Sequence, residues 1–464
     1  MRKLILALVA LALVAVPAFA GVQNVKVSGT VSSVWLLREN FDLGFTTVGD
    51  ADQNIFFTQM LLGVDADLTD QVSASLRLIN ERPWSDNSNA DITDIDLNLA
   101  YVTLREMLYS PLTVVVGRQV WSYGNSFIFN ATGTNNTAPA DSGLTSVAQD
   151  FTNETALDAI RLIFDYNPLT IETFYSKVDE NALTSERGND DDVDLTGIDA
   201  TYELGDSWNT LVEGYFFSRL SRSARVPATG GTGKTDTIHL PGFRVSTNPI
   251  EGLNTQLELA WQRGTRAVAT NNNQQRRAMA AQFIAGYQVP MMEEYKPFAQ
   301  YVYTFVSGDS EPNNINSTSS AARSRETYEA WDPFFEAQAS GKIYNTIFDL
   351  TNAHIHMLSL QATPLEDVTA KFTWTGMWLH HAINTSATNN TGITLRQPDG
   401  SAAVNTTATT DKAVGNEYDV DLSYAYTEDV AIGASFGWFN PGDAFAAGND
   451  SVASQAIVSV GLNF

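Results

Sequence analysis

Residues 417–438 read EYDVDLSYAYTEDVAIGASFGW, and this stretch decides the fold class. Its large apolar side chains recur at every second position, which is the period of a β-strand, and a turn at residues 427–429 separates two such runs. The alternating residues are Tyr418, Val420, Leu422, Tyr424 and Tyr426, then Val430, Ile432, Ala434, Phe436 and Trp438. Small or polar residues fill the positions between them. This pattern, with aromatic residues near the strand ends, is typical of a wall with lipid outside and water inside.

The same alternation recurs from residue 25 onward, and the last run, residues 456–464, ends on Phe464. Counting the runs predicts about eighteen strands, an even number, as bacterial barrels have. The connections alternate between short turns and long polar loops. The long loops are residues 122–156, 179–193, 220–236, 307–350 and 382–416. The sequence therefore predicts an all-β fold, a transmembrane antiparallel β-barrel with short periplasmic turns and long extracellular loops.

The first twenty residues have the features of a signal peptide. Arg2 and Lys3 give a positive start, residues 4–16 are apolar, and residues 18–20 (AFA) offer small side chains for cleavage before Gly21. The alternative, a helical membrane anchor, would need about twenty apolar residues. We therefore predict a cleavable signal peptide at residues 1–20, a single barrel domain at residues 21–464, and export to the outer membrane of a Gram-negative envelope.

The composition argues against other classes of protein. The formal net charge is −26, and binding a nucleic-acid backbone needs clustered Lys and Arg, so we expect no nucleic-acid partner. Aromatic residues make up 11% of the chain, more than a disordered acidic chain would contain. The absence of cysteine is compatible with passage through an oxidising compartment.

Two stretches resemble chemical motifs without completing them. Residues 230–235 (GGTGKT) lack the first glycine of a phosphate-binding loop, because Ala228 stands five positions before Gly233. His354 and His356 face the same way on a strand, but a metal site needs three or four ligands, and the sequence offers no clear third. We therefore predict no cofactor, no metal and no catalytic residues.

Charged residues at the inward positions of the predicted strands are the candidates for lining a pore, where they would select solutes. They are Arg77, Glu81, Asp94, Asp96, Arg118, Arg161, Asp165, Glu258, Lys371, Asp419 and Asp421. The direction of Arg118 stays open, because the run of valines at residues 114–116 blurs the alternation before it. The set is mixed in sign, and acid prevails.

Several blocks of the sequence resemble the alginate-export family of outer-membrane proteins. They are residues 99–102 (LAYV), 111–119 (PLTVVVGRQ), 123–124 (YG), 157–162 (LDAIRL), 331–335 (WDPFF), 417–422 (EYDVDL) and 437–442 (GWFNPG). The resemblance implies a monomeric eighteen-stranded barrel that passes anionic polysaccharide or small solutes by diffusion, and it places Arg118 and Arg161 in or near the conducting path. The family's polyuronate exporter has a strongly electropositive lumen, whereas inward acids outnumber inward bases here.

These features together predict an outer-membrane porin for passive diffusion of small hydrophilic solutes or export of a saccharide. The 122–156 and 307–350 loops are the candidates for narrowing the pore, since a wide barrel is constricted by loops that fold inward. The expected partners are outer-membrane lipid and lipopolysaccharide, the solute, and the barrel-insertion machinery, which would recognise Phe464. Two alternatives stay open: a non-conducting barrel that acts as an adhesin or scaffold through its loops, and an outer-membrane hydrolase.

Overall fold

The computed structural model describes residues 24–44, 52–84, 95–132, 148–151, 155–179, 192–222, 235–268, 272–310, 327–337, 341–382, 394–396, 402–404, 411–445 and 448–464. The predicted signal peptide, Asp94 and residues 230–234 lie outside the described residues. Among the helices that are described, none is long and apolar enough to cross a membrane.

Strands dominate the described residues. In chain order they are β1 Asn24–Glu39, β2 Gln53–Thr69, β3 Val72–Pro83, β4 Asp96–Leu104, β5 Leu112–Gln119, β6 Leu157–Asp165, β7 Leu169–Asp179, β8 Val193–Glu203, β9 Leu211–Ser221, β10 Asp236–Ile250, β11 Leu253–Val268, β12 Asn272–Gln288, β13 Phe298–Val306, β14 Thr327–Tyr328, β15 Ala353–Leu365, β16 Val368–Leu379, β17 Thr394–Arg396, β18 Ala402–Val404, β19 Ala413–Ala425, β20 Val430–Pro441 and β21 Ala453–Asn463. Three of them are two or three residues long: β14 pairs with β12 in parallel, and β17 and β18 form a separate hairpin.

The remaining eighteen strands form one closed antiparallel barrel. Each of them pairs with the next barrel strand along the chain, and β1 pairs with β21 to close the ring. At this seam Gly29 and Phe464 exchange two backbone hydrogen bonds, of 2.9 and 3.0 Å. Closure leaves no unpaired edge in lipid, where a free backbone N–H or C=O group would have no partner. The predicted strand number and antiparallel architecture are confirmed.

The two faces of the barrel wall differ as the alternation predicts. On β19, Tyr418 and Leu422 are 36% and 43% exposed on the outer face, while Asp419 between them is 2% exposed and faces the interior. The same contrast holds across the β19–β20 pair, where outward Tyr418 lies opposite Trp438 and inward Asp419 lies opposite Gly437. The exposed apolar face is the surface that contacts lipid.

Segments of the predicted 122–156 and 307–350 loops fold into the barrel interior. Phe129 and Phe335, one from each loop, form a parallel backbone bridge, and both side chains are buried. A short helix, α1 (Lys342–Ile347), and a 3₁₀ turn (Gln149–Phe151) lie against the inner wall of the barrel. Aromatic and aliphatic side chains from these segments and from the strands share one buried cluster. The described parts of both loops therefore occupy the lumen.

Candidate functional site

Charged side chains line the inner wall across β6 and β7, where Arg161 faces Glu172. Two N–H groups of Arg161, on Nε and Nη2, donate to the two carboxylate oxygens of Glu172 at 2.7 and 3.0 Å. The Tyr123 hydroxyl, from the loop that follows β5, donates to Glu172 Oε1 at 2.5 Å. Arg161 also stacks over the Trp121 ring, 4.8 Å from its centroid. This pair therefore fixes a loop segment onto the wall.

Three further carboxylates lie beside this pair, on β8, β9 and β11. Asp199, Glu213 and Glu258 are 5%, 2% and 4% exposed. Arg244 on β10 donates to Glu213 through Nε at 2.7 Å, while the hydrogen bonds that Asp199 and Glu258 accept from described residues come from neutral hydroxyls. We call Asp199, Glu213 and Glu258 the acid cluster.

Glycine makes the geometry of the acid cluster possible. Tyr215 on β9 reaches across β10 and donates to Glu258 Oε1 on β11 at 2.7 Å. Its ring lies over Gly242, where an added Cβ would overlap it. Tyr215 also stacks on Phe217, with ring centroids 4.9 Å apart. A side chain at position 242 would therefore block the path from Tyr215 to Glu258.

The loop segment at residues 120–132 lies on the acid cluster. A Cβ at Gly124 would approach Arg244 Nε to 2.8 Å and Glu213 Oε2 to 3.4 Å, so the backbone there is in close contact with this ion pair. The Asn125 side chain donates to Gln282 Oε1 on β12 at 2.7 Å. The segment thus spans the inner wall from β7 to β12.

A second group of carboxylates, Glu417, Asp419 and Asp421 on β19, holds helix α1. The backbone N–H groups of Ile343 and Tyr344 donate to the two oxygens of Glu417 at 2.8 and 2.9 Å. The ammonium group of Lys342 forms an ion pair with Asp421. Burial of Tyr344 raises the pKa of its phenol, so it stays neutral at the helix. The second group therefore anchors the 307–350 loop to the inner wall at β19.

A buried arginine fixes the remaining described part of the first loop. Arg38 on β1 is fully buried, forms an ion pair with Asp150, and donates to Gln455 Oε1 on β21 at 2.8 Å. Its guanidinium lies over the rings of Phe41 and Phe151. This arginine holds the 3₁₀ turn at the seam where the barrel closes.

Most of the predicted pore-lining residues lie in the inward register. Arg77 donates to Asn98 Oδ1 at 2.5 Å, and Glu81 accepts from Gln59 Nε2 at 2.5 Å. The others are placed by their cross-strand partners: Asp96 opposite Ile79, Lys371 opposite Asp421, Asp419 opposite Thr373, Glu258 opposite Arg244 and Arg161 opposite Phe174. Asp165 is inward by register but exposed at the end of β6, where it accepts the Asn167 N–H at 3.0 Å and caps a turn.

Arg118 differs from the other predicted residues, because the structure places it in the outward register. It lies opposite Asp158, two positions from the pair formed by Val116 and Ile160, which are 42% and 49% exposed on the outer face. Gly117, with φ of 125°, directly precedes it. The Arg118 guanidinium contacts the Asp158 carboxylate at 3.5 Å. Its side chain therefore lies on the outer surface near the end of β5 rather than along the lumen.

Several residues of the inner wall were not among the predicted ones. They are Glu172, Asp199, Glu213, Tyr215, Arg244 and Glu417 on strands, and Tyr123 and Lys342 on loops. The strand residues occupy the same alternate positions as those that were predicted, so carrying the alternation through every strand would have found them. The loop residues have no such signal, because a loop has no periodicity that assigns a face.

His354 and His356 lie on the outer face of β15. Each ring accepts or donates a 2.8 Å hydrogen bond at Nδ1, His354 with the Tyr303 hydroxyl and His356 with the Tyr301 hydroxyl. The two histidines therefore belong to the aromatic band of the outer wall.

Comparison with known proteins agrees with this architecture. The sequence model of the alginate export family matches residues 29–459. Comparison with the curated proteins finds no match. Among solved structures, the outer-membrane protein OpdK of Pseudomonas aeruginosa superposes with a TM-score of 0.54 at 10% identity, covering 96% of this chain and 100% of OpdK.

Two further structures have the same barrel. OccAB1 of Acinetobacter baumannii superposes with a TM-score of 0.54 at 11% identity, covering 96% of this chain and 98% of that protein. OccK2 of P. aeruginosa, solved in complex with glucuronate, gives a TM-score of 0.52 at 12% identity, covering 96% of this chain and 100% of that protein. At these identities the likeness shows the fold.

Proposed function

The chain belongs to the alginate export family and is an outer-membrane channel protein rather than an enzyme, and on that premise we propose that it admits small hydrophilic solutes by passive diffusion, with cations preferred over anions. The observation that carries the proposal is the excess of carboxylates on the inner wall. Four of them, Glu172, Asp199, Glu213 and Glu258, face two guanidinium groups, those of Arg161 and Arg244. Charge on a pore wall biases which ions and solutes enter.

The mechanism is exclusion by the size and charge of the remaining passage. The described segments of the 122–156 and 307–350 loops lie on the inner wall and reduce the space that an eighteen-stranded barrel would otherwise leave. Solutes move down their gradients, and no covalent step is required. We include Arg77, Glu81, Asp94, Asp96, Arg161, Asp165, Glu258, Lys371, Asp419 and Asp421 among the residues that line this passage.

The charge on the inner wall also affects which class of solute can pass through the channel. OccK2 was solved with glucuronate and OpdK with vanillate, which are both carboxylates. An inner wall that carries more acidic than basic side chains disfavours such anions, since charge on a pore wall biases which solutes enter. We therefore propose neutral and cationic solutes as the permeating class, and place export of an anionic saccharide second.

The proposal extends to how the protein reaches the membrane. Residues 1–20 would be removed as a signal peptide, and residues 21–464 would then form one barrel domain. The strand that ends on Phe464 would be recognised by the barrel-insertion machinery, and the outer surface would contact lipid and lipopolysaccharide. N-terminal sequencing of the protein purified from outer membranes tests the first of these steps, because the mature chain would begin at Gly21.

Recording from the purified protein in a planar bilayer tests the function. We expect steady open steps in KCl and, under a KCl gradient, a reversal potential of the sign that K⁺ selectivity gives. A protein that inserts without steady steps would instead be the adhesin or scaffold, and a strong preference for chloride would contradict the argument from the acidic wall.

A further inference from the structure

We propose that the acid cluster, Asp199, Glu213 and Glu258, is a subsite for the ammonium or guanidinium group of a permeating solute. This inference deepens the proposed function and rests on it, because the solute must enter the barrel to reach the cluster. The proposed ligands are organic cations that carry N–H donors.

Two carboxylate oxygens in the cluster lack a hydrogen-bond partner among the described residues. Glu258 accepts from Tyr215 at Oε1, but its Oε2 is buried and unpartnered. Asp199 accepts from Thr201 at Oδ1, and its Oδ2 is likewise buried and unpartnered. Both side chains are more than nine-tenths buried. A buried carboxylate oxygen without a donor is costly, because the group has lost its water and gained nothing in return.

The two neighbouring guanidinium groups already have hydrogen-bond acceptors. Arg161 donates to both oxygens of Glu172, and Arg244 divides its N–H groups between Glu213 and Gln256. The two guanidinium groups are therefore paired with Glu172 and Glu213, and neither Asp199 nor Glu258 forms an ion pair with any cation of the described residues. A cationic group that donates hydrogen bonds would satisfy both the charge and the open oxygens.

An organic cation fits this arrangement better than a metal ion. A metal ion draws three or more ligand atoms around one point, and no group of His, Cys, Asp or Glu in the described part of the chain is placed to do so. A guanidinium group has several N–H donors that point outward in a plane, so it can reach carboxylates that stand apart from one another. The three carboxylates of the cluster stand on different strands, β8, β9 and β11, so they are not gathered around one point as metal ligands are.

The cluster is close to solvent through the loop segment at residues 120–132. Gly124 is exposed, and its backbone lies directly on the ion pair of Arg244 and Glu213. The absence of a side chain at position 124 leaves this edge of the cluster covered by backbone alone. A solute that reaches Gly124 therefore lies beside the ion pair of Arg244 and Glu213, and Glu213 is a member of the acid cluster.

Block of the K⁺ current in a planar bilayer tests the subsite, with guanidinium chloride and tetramethylammonium chloride as probes. The two cations carry the same charge, but tetramethylammonium has no N–H group. We expect guanidinium to block the wild-type channel at a concentration at least tenfold lower than tetramethylammonium. Glu258→Gln and Asp199→Asn should each raise the half-blocking concentration of guanidinium at least tenfold.

The matched control is Glu203→Gln, which removes one exposed carboxylate from the same strand as Asp199 and should leave the guanidinium block unchanged. If one cluster variant does not insert as a folded barrel, the other gives the same test, and the comparison of the two probes on the wild-type channel decides independently. Equal block by both cations in a conducting channel would refute the subsite and leave the proposed channel function intact. Absence of any current would overturn the proposed function, and the subsite with it.

Discussion

The Tyr215 hydroxyl donates a 2.7 Å hydrogen bond to Glu258 Oε1 from two strands away. Tyr215 stands on β9 and Glu258 on β11, and the tyrosine ring crosses β10 over Gly242. The bond connects strands that share no backbone ladder, and it fixes the orientation of a buried carboxylate on the inner wall. A phenol hydroxyl that reaches across a sheet in this way needs a position without a side chain beneath it.

Substitution of Gly242 by alanine should displace the Tyr215 ring and break its bond to Glu258. The new methyl group overlaps the ring, and overpacking of this kind lowers the free energy of unfolding by about 1–3 kcal/mol. Urea unfolding of the barrel in detergent, followed by the shift of the folded band on a gel, measures the change. Gly214→Ala is the control, because a Cβ there meets no atom within 4 Å, and an equal loss in both variants would contradict the packing argument.

Truncation of Glu417 should release helix α1 from the inner wall. Glu417→Ala removes the acceptor for the N–H groups of Ile343 and Tyr344, and each such hydrogen bond contributes about 0.5–1.5 kcal/mol. We expect a larger and noisier single-channel conductance, because the helix then moves within the lumen. Glu366→Ala, which removes an exposed carboxylate from a turn, serves as the control. An unchanged conductance in Glu417→Ala would show that the helix does not narrow the passage.

Period-two alternation was enough to predict the barrel but not the loop segments that lie inside it. Tyr418 and Asp419 already show which face of β19 is outward, and eighteen such strands can only close on themselves in lipid. The alternation did not predict the direction of Arg118, because the three valines at residues 114–116 are apolar on both faces and hide which side of β5 is the inner one. Lys342 and Tyr123 could not be predicted at all, since their placement depends on tertiary contacts of loops.

The turn between β8 and β9 should lose stability in acid. The Asp206 carboxylate accepts hydrogen bonds from the Thr210 backbone N–H at 2.8 Å and the Thr210 hydroxyl at 2.7 Å, and these bonds lower its pKa from the ordinary value of 3.8. A carboxylate with a lowered folded-state pKa stabilises the fold fully above its ordinary pKa, and this contribution is lost as the pH falls through the lowered value.

We therefore expect Asp206→Ala to be less stable than the wild type at neutral pH, with the difference shrinking as the pH falls below 3.8. Urea midpoints measured between pH 7 and pH 2 give this difference directly. The control is Asp70→Ala, an exposed turn aspartate whose carboxylate has no hydrogen-bond partner among the described residues. A difference that grew in acid would reverse the sign and refute the assignment.

Closure of the barrel should depend on the small residue opposite the last one. The Phe464 ring lies over Gly29, where a Cβ would overlap it, and the two residues share a pair of backbone hydrogen bonds. We expect Gly29→Ala to push the ring aside and to reduce the yield of folded barrel in refolding experiments. Gly461→Ala on the same seam is the matched control, because a Cβ there meets no atom within 4 Å. Equal yields from the two variants would show that the ring contact is dispensable.

Arg161 and Arg118 provide the sharpest test of which side of the wall a charge is on. Arg161 faces the lumen and pairs with Glu172, so Arg161→Gln leaves an extra uncompensated negative charge inside the barrel. We expect the reversal potential under a KCl gradient to shift toward K⁺. Arg118→Gln removes the same charge from the outer surface, where its partner Asp158 is 64% exposed, and the potential should not change, because that charge is separated from the conducting path by the barrel wall. Equal shifts in the two variants would mean that Arg118 reaches the lumen and that its outward register on β5 is wrong.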